Sequence, residues 1–258
     1  MLQVAALTGV GLCRNVNEDT FGISQPGSAL FRGPPEQRLE LRGPVVVGVY
    51  DGTGSLISGE AASGTVARAV HEIMSATPDG AAETLGPALV EAVRIANRRL
   101  FDLVMTNAQW RGLGTTATVA VIGDNWVVVA HVGDTRAYRR RGNDLRQITR
   151  DDSLANDLLD AGLAELPADF AHHHVITKAL GFAEDLSPAS YATDLQDGDM
   201  IVLCSDGVWG MIGEPAMRDI LLGSRDPEQT CRALIEAADQ AGGHDNATVV
   251  SVLVRSGR

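Results

Sequence analysis

The chain has few cysteines and no long apolar run, and both shortages narrow the classes of protein to which it can belong. Its three cysteines, Cys13, Cys204 and Cys231, are widely separated and form no CxxC pair, so a disulfide framework is not expected. No stretch approaches the ~20 apolar residues of a membrane-spanning helix. The first residues, Met1 to Val4, lack the basic region of a secretion signal. We therefore expect a cytoplasmic protein with no membrane partner.

Basic residues are scarce relative to acidic ones. The 258 residues include 21 Lys and Arg against 33 Asp and Glu, which gives a formal net charge of −12. Nucleic-acid binding relies on an excess of positive charge or on basic stretches interleaved with aromatic residues, and neither is evident here. Nucleic acid is therefore not an expected partner. An acidic protein can still act on phosphate if metal ions supply the positive charge locally.

The composition is otherwise that of an ordinary globular protein, with 45% hydrophobic and 21% charged residues. No internal repeat, low-complexity tract or long linker divides the sequence. The most loop-like stretch, Gln25 to Pro44, is too short to separate two domains. We therefore predict a single domain over residues 1–258.

Short apolar runs predict β-strands. Most of these runs are dense in Val and Ile and nearly continuous in apolar character, which is typical of strands that are covered on both faces. The predicted strands are Thr20–Ser24, Val45–Tyr50, Thr115–Ile122, Trp126–Val132, Met200–Cys204 and Ala247–Val254.

Stretches with helical spacing lie between the strands. One begins after a capping position at Ser58, one runs from about Pro87 to Met105, and one starts at Asp226 and stops near Gly242. Because single helices do not alternate regularly with the strands, a doubly wound parallel sheet is not expected. The pattern favours an α+β protein with antiparallel sheets flanked by helices.

Three of the predicted strands end on an aspartate beside a glycine, and a fourth begins just after an aspartate. These residues are Asp51, Asp134, Asp206 and Asp245. If the last strand runs antiparallel to the others, all four carboxylates fall at one edge of the sheets. Close carboxylates raise each other's pKa, and hard cations such as Mg²⁺ and Mn²⁺ neutralise them. A single such position is more typical of a turn, but four of them favour a metal site.

An ordered series of short motifs runs from about Thr8 to Val254. They are Gly11–Asp19 (GLCRNVNED), Asp51–Gly54 (DGTG), Gly59–Ser63 (GEAAS), Gly114–Thr116 (GTT), Val132–Tyr138 (VGDTRAY), Ile148–Ser153 (ITRDDS), Lys178–Gly181 (KALG), Leu203–Gly207 (LCSDG) and Asp245–Thr248 (DNAT). Each is weak alone, but their order and spacing together are specific. The chain resembles the metal-dependent protein phosphatases of type 2C, the PPM family, in their compact bacterial form. The resemblance implies two packed antiparallel sheets with helices outside, an αββα sandwich.

The resemblance also implies a set of metal-holding positions. They are Glu18, Asp51, Gly52, Asp134, Asp206 and Asp245. Asp51 matches the carboxylate that bridges two ions, and the carbonyl of Gly52 matches a ligand of the second. Asp206 and Asp245 match ligands of the first ion, and Asp134 with Asp206 matches a third site. Glu18 matches a residue that holds the ions directly or through water, with Asp19 supporting it.

The implied reaction follows from these matches. Arg14 matches the guanidinium that grips the substrate phosphate, and with Asp51 and Asp206 it forms the implied catalytic set. Two or three Mn²⁺ or Mg²⁺ ions would activate a water that hydrolyses phosphoserine or phosphothreonine in proteins. Phosphorylated proteins are the implied partners, with a serine/threonine kinase and its substrates as candidates.

The motif after the first metal aspartate departs from the family pattern. Residues 51–56 read DGTGSL, so no histidine stands at Thr53 or at Leu56, where family members carry one. The proton donor to the leaving group is therefore open, and a metal-bound water is one candidate. The missing histidine also leaves an alternative, in which the chain is a weakly active relative that binds phosphoproteins as a regulatory module.

The segment from about Arg150 to His174 matches the flap of the family, a region beside the active site. We expect it to influence substrate choice and the third metal, with a static surface helix as the alternative. The cluster of His172, His173 and His174 falls in this segment, and we assign it to a solvated loop or helix start rather than to a metal site.

Overall fold

The apolar runs form the central strands of two antiparallel sheets in the computed structural model, which describes residues 1–54, 59–163, 165 and 175–255. The strands of the first sheet, sheet A, are β1 (Leu2–Gly9), β4 (Glu36–Leu41), β9 (Arg136–Arg141), β10 (Asp144–Gln147), β12 (Met200–Cys204) and β13 (Ala247–Val254). Their order across the sheet is β10–β9–β12–β13–β1–β4, and each neighbouring pair is antiparallel.

The second sheet, sheet B, packs face to face against sheet A. Its strands are β2 (Asp19–Ser24), β3 (Phe31–Arg32), β5 (Val45–Thr53), β6 (Gly114–Thr115), β7 (Ala117–Ile122), β8 (Trp126–Val132) and β11 (Ala189–Asp194). The order is β11–β8–β7–β5–β2–β3, and β6 pairs with the end of β5. These pairs are antiparallel as well.

The central strands are buried on both faces, as their continuous apolar character predicts. Every residue of β13 is buried. Val250 and Val252 point into the core between the sheets, where they meet side chains of β5 such as Val47. Val249 and Leu253, on the opposite face of β13, pack against helices. This two-sided burial is why the pattern lacks the alternation of a half-exposed strand.

Helices cover the outer face of each sheet. The helices of the described residues are α1 (Glu60–Ala76), α2 (Ala82–Thr106), α3 (Leu154–Asp160), α4 (Asp206–Gly223) and α5 (Pro227–Gln240), with a 3₁₀ turn at Ala108–Trp110. α1 and α2 pack on sheet B, and α4 and α5 pack on sheet A. The predicted α+β sandwich, with two antiparallel sheets between helical layers, is confirmed. None of the helices in the described ranges is both long enough and apolar enough to cross a lipid bilayer.

The helix starts agree with the sequence in part. Asp226 caps α5 as predicted, because its Oδ1 accepts a hydrogen bond from the Gln229 backbone N–H at 3.0 Å. α2 begins at Ala82, earlier than predicted, and includes Pro87. The N-cap of α1 is Gly59, without a side-chain cap, and the predicted cap Ser58 lies outside the described residues.

A buried histidine joins α1 to sheet B. His71 is 1% exposed, and its Nδ1 lies 2.7 Å from Ser24 Oγ. The ring sits over Gly22, where a Cβ would come within 2.3 Å of it, so only glycine leaves room for this contact. Burial lowers the pKa of His71 to about 3 from an ordinary value of 6.5. The folded protein therefore keeps this ring neutral under conditions that protonate it in the unfolded chain.

Acidification is expected to destabilise the fold through His71. Because its folded pKa is depressed, the unfolded chain binds the extra proton, and the free energy of unfolding falls as pH drops below 6.5 toward about 3. The loss approaches about 1.4 kcal/mol for each pH unit. Urea denaturation between about pH 4 and 7 should show a smaller pH dependence in His71→Gln than in the wild type. Arg68→Gln, an exposed change on the same helix, should keep the wild-type dependence; equal slopes in all three proteins would contradict the assignment.

Candidate active site

The four strand-end aspartates lie at one edge of the sheets. In sheet A, β12 and β13 are antiparallel neighbours, so Asp206 after β12 and Asp245 before β13 flank the same end. In sheet B, β5 and β8 both pair antiparallel with β7 and so run in the same direction. Asp51 at the end of β5 and Asp134 beyond the end of β8 therefore share an edge as well.

The carboxyl groups from the two sheets are close enough to perturb one another. The pKa of Asp51 is raised well above its ordinary value, chiefly because its carboxyl group is buried. The negative charges of Asp19 and Asp206 raise it further. The Asp206 carboxyl group is close enough to that of Asp51 for a hydrogen bond between them to contribute to the same shift. Burial and the charge of Asp206 raise the pKa of Asp134 to about 8. Like charges brought this close call for a compensating cation.

Asp19 lies beneath this cluster and ties the two sheets together. It is 4% exposed, and its Oδ2 accepts a hydrogen bond from Ser205 Oγ at 2.6 Å. Ser205 Oγ in turn accepts from the Thr248 backbone N–H at 3.0 Å. Burial raises the pKa of Asp19 to about 7, although the hydrogen bonds from Ser205 and Thr248 oppose the shift. The network fixes the end of β12, directly before Asp206.

Glu18 and Gly52 occupy a tightly packed corner of the same edge. The Glu18 carboxylate accepts a hydrogen bond from the Gly59 backbone N–H. The Glu18 carbonyl accepts from the Gly52 backbone N–H at 3.2 Å. A Cβ at Gly52 would lie 2.3 Å from the Gly59 carbonyl oxygen, so no larger residue fits between these segments. The close approach holds Glu18 beside the end of β5.

Arg14 reaches the edge from the loop between β1 and β2. Its Nη2 lies 2.9 Å from Asp245 Oδ2, and both side chains are partly exposed. Its Nε donates to the His244 carbonyl at 3.4 Å. The negative charges of Asp245, Glu18 and Asp51 raise the pKa of Arg14, which places its guanidinium within the field of the acidic cluster. Cys13 Sγ lies next to it, 3.3 Å from His244 Nδ1.

Sequence reasoning missed an aromatic support behind Asp134. Trp209, in the first turn of α4, donates from Nε1 to the Asp134 carbonyl at 3.0 Å. The Arg136 guanidinium stacks 3.5 Å above the centroid of the Trp209 ring. Arg136 Nη2 also pairs with Asp151 Oδ2 at 2.7 Å. The sequence feature that could have revealed Trp209 is its i, i+3 spacing from Asp206, which puts both side chains on one side of α4.

The start of the predicted flap, at Asp152, contacts Gly133 next to Asp134. Asp152 Oδ2 accepts from the Gly133 backbone N–H at 3.0 Å, and Asp152 Oδ1 lies 2.6 Å from Lys178 Nζ. A cavity of about 380 Å³, lined by Arg136, Trp209 and Asn156 among others, lies between α3 and the start of α4. The predicted cluster from His172 to His174 falls outside the described residues, as does Leu56.

The donor set at this edge suits a hard divalent cation. Its members supply oxygen only, as carboxylates and as the carbonyl of Gly52, and Mg²⁺ and Mn²⁺ prefer such ligands. Over the described ranges, no three His, Cys, Asp or Glu side chains stand together in a geometry ready to hold an ion.

Comparison with known proteins places the chain in a family. The family model for protein phosphatase 2C matches residues 38–232. The serine/threonine phosphatase stp of Listeria welshimeri is 31% identical, over 97% of this chain and 96% of its own. The crystal structure of the serine/threonine phosphatase Stp1 from Staphylococcus aureus is 25% identical and has a TM-score of 0.86, over 99% of this chain and 96% of that one. The catalytic domain of the serine/threonine protein phosphatase PstP, solved with two manganese ions, is 29% identical with a TM-score of 0.80, over 99% of this chain and 100% of that one. The chain belongs to the protein phosphatase 2C family.

Proposed function

We propose that this chain is a metal-dependent protein phosphatase that hydrolyses phosphoserine and phosphothreonine in proteins. The observation that carries the proposal is the meeting of Asp51 from sheet B with Asp206 from sheet A, close enough for a hydrogen bond between their carboxyl groups. Two acidic groups held together in this way are the framework of a cation site rather than of a turn. Arg14 at the same edge supplies a guanidinium suited to phosphate.

The residues proposed to hold the ions are those at the shared edge. They are Glu18, Asp51, Gly52, Asp134, Asp206 and Asp245. We propose two or three ions, Mn²⁺ or Mg²⁺, and the two manganese ions in the PstP structure support this choice. Divalent cations bound here would neutralise the phosphoryl oxygens and make a water acidic enough to act as nucleophile near neutral pH.

The residues of the chain bind and orient the substrate phosphate. Arg14 pairs with Asp245, and a cation held by the carboxylates would replace the guanidinium as the counter-charge of Asp245. Arg14 would then donate paired hydrogen bonds to two phosphate oxygens. Asp19 and Ser205 hold the end of β12, and thereby Asp206, in place during the reaction. We assign protonation of the leaving oxygen to water, because residue 53 is a threonine and residue 56 a leucine.

Loss of the Arg14 side chain is expected to weaken substrate binding. Arg14→Ala should raise KM for a phosphothreonine peptide by about 10- to 100-fold, because charge-assisted hydrogen bonds contribute about 1.5–3 kcal/mol. Arg14→Lys should recover part of the loss, since it restores the charge without the planar fork. Steady-state kinetics decide the point, with Arg111→Ala, an exposed change elsewhere, as control. An unchanged KM in Arg14→Ala would refute the phosphate role.

The activity itself is tested by hydrolysis of a phosphothreonine peptide and an aryl phosphate. Turnover is expected with Mn²⁺ or Mg²⁺ and should vanish with chelator. Binding of the phosphopeptide without metal-dependent turnover would instead support the regulatory module, and cleavage of single-stranded or duplex DNA would support a nuclease.

Three further assignments belong to the same proposal. We place the activity in one domain over residues 1–258, and we place the protein in the cytoplasm. Its partners are phosphorylated proteins, and we propose a serine/threonine kinase and the substrates of that kinase among them. The relatives above are named serine/threonine phosphatases, which supports phosphorylated proteins as the partners; the kinase is proposed by analogy of function alone.

A further inference from the structure

A run of three arginines lies on β9, far from the acidic edge. Arg139 donates to Thr193 Oγ1 at 3.2 Å, and Arg141 pairs with Asp199 Oδ2 at 2.7 Å. Arg140, between them, points to the opposite face of sheet A. It lies beside Met200 on the neighbouring strand β12. This face packs against α4 and α5.

Arg140 is buried with most of its hydrogen-bonding capacity unused. The residue is 2% exposed, and its Nη2 donates to the Gly198 carbonyl at 3.3 Å. Its Nε and Nη1 are buried, and neither has a partner among the residues that the structure describes. A buried guanidinium without compensating contacts is costly, because burying a charge is tolerated only when the charge is paired and hydrogen-bonded.

Two more arginines lie near Arg140. Gly198, whose carbonyl binds Arg140, donates its N–H to the carbonyl of Val254, the residue before Arg255. Thr230 contacts both Met200, which pairs with Arg140, and Ser224, the residue before Arg225. The pKa of Arg140 is lowered, chiefly because its side chain is buried. The positive charges of Arg225 and Arg255 lower it further. Arg225 and Arg255 are exposed, and within the described ranges neither forms an ion pair. Asp199 is the acidic group that opposes the shift, but its carboxylate is already held by Arg141. The result is a local excess of positive charge in a chain whose formal net charge is −12.

We propose that Arg140, Arg225 and Arg255 form a binding site for a small inorganic oxyanion such as phosphate or sulfate. A tetrahedral oxyanion accepts hydrogen bonds from several guanidinium groups at once, and so supplies both the charge and the acceptors that Arg140 lacks. Because Arg140 is 2% exposed, its nitrogens favour a small inorganic ion over a phosphate carried on a protein side chain.

This site is separate from the proposed active site. Arg140 pairs with Met200, the first residue of β12, whereas Asp206 follows the last residue of that strand. The two sites therefore lie at opposite edges of sheet A. Phosphate is the product of the reaction proposed above, but the arginine site does not depend on that reaction for its chemistry.

The experiment measures oxyanion binding to Mg²⁺-loaded protein in an Arg14→Ala background, which removes the guanidinium at the acidic edge. Isothermal titration with sodium phosphate and with sodium sulfate, at ionic strength matched by sodium chloride, is expected to show an oxyanion site in addition to phosphate held at the metal ions. Adding Arg225→Ala and Arg255→Ala should raise Kd by about tenfold or more, because two charge-assisted contacts are lost. Adding Arg111→Ala instead removes an exposed arginine elsewhere and should leave Kd unchanged.

A second variant tests the buried arginine directly. Arg140→Met fills a similar volume without charge, and its melting temperature should no longer rise with phosphate or sulfate, whereas that of the Arg14→Ala parent should. If Kd is the same with and without Arg225 and Arg255, or if neither oxyanion binds more tightly than chloride, the proposal is overturned and water alone satisfies Arg140. Oxyanion-dependent stabilisation that persists in Arg140→Met would overturn it as well.

Discussion

Replacement of Asp206 by Asn is expected to lower kcat for a phosphothreonine peptide by about 10³-fold or more. The carboxylate of Asp206 interacts with those of Asp51 and Asp134, so it stands where two proposed ion sites meet. An amide is a weaker ligand than a carboxylate and carries no charge, so both sites would lose affinity. Metal ions contribute several kcal/mol to transition-state charge stabilisation, and about 4 kcal/mol corresponds to the expected factor. Stopped-assay kinetics across a range of Mn²⁺ concentrations provide the measurement.

The same variant should behave differently when no metal is present. The charge of Asp206 raises the pKa values of Asp51 and Asp134, so in chelator it destabilises the folded state at neutral pH. Asp206→Asn removes that repulsion, and its melting temperature in chelator should equal or exceed that of the wild type. Its melting temperature should then rise little on addition of Mn²⁺, whereas the wild type should be stabilised clearly.

A control on the same helix separates ligand loss from a general charge effect. Asp219 is an exposed residue of α4, and Asp219→Asn makes the same chemical change away from the acidic edge. Its kinetics and its response to Mn²⁺ should match those of the wild type. Wild-type turnover in Asp206→Asn, or an undiminished Mn²⁺ response, would exclude Asp206 as a metal ligand.

The parts of the fold that could be predicted are those in which burial dominates the sequence. Trp126–Val132, Met200–Cys204 and Ala247–Val254 have the observed bounds because each is a continuous apolar run in the middle of a sheet. The edge strand Glu36–Leu41 was missed. Its residues alternate between exposed and half-buried, and polar side chains dominate, so its pairing with β1 leaves little trace in the sequence. Ala189–Asp194 was missed for the same reason.

The site shows a similar division. The four aspartates could be found because each follows or precedes a buried strand. A residue next to the end of a strand must lie at the corresponding edge of the sheet. The supports behind them could not, because they join segments that are distant in the chain. Ser205 meets Asp19 only through the packing of sheet A on sheet B. Trp209 meets the Asp134 carbonyl only because α4 begins at the end of β12.

A methyl group at Gly207 is expected to damage both stability and activity. Gly207 follows Asp206 in the first turn of α4, and a Cβ there would lie 1.8 Å from the Asn246 carbonyl oxygen and 3.3 Å from Asp245 Cβ. The Asn246 backbone would have to move away from a Cβ at this distance. Asn246 cannot move alone, because its Nδ2 donates to the Val16 carbonyl at 3.0 Å in the loop that carries Arg14.

The displacement would therefore spread through the proposed active site. Asn246 Oδ1 also accepts from the Glu18 backbone N–H at 2.9 Å, so Glu18 and Asp245 would shift together relative to Asp206. Gly207→Ala should reduce the free energy of unfolding by about 1–3 kcal/mol, as overpacking of tight sites does. Because misplaced catalytic groups are costly, kcat/KM with Mn²⁺ should fall by about tenfold to 100-fold.

Gly223, the last residue of α4, offers a matched comparison. A Cβ at Gly223 meets nothing within 4 Å, so Gly223→Ala adds the same methyl group without a clash to the part of α4 beyond its kink at Gly213. Alanine also has the higher helix propensity, and the free energy of unfolding should stay the same or rise by up to about 1 kcal/mol. Thermal melts and Mn²⁺-dependent kinetics of the two variants measure the difference directly. Equal behaviour of the two variants would mean that the contact between α4 and Asn246 does not hold Asp206 and Asp245 together.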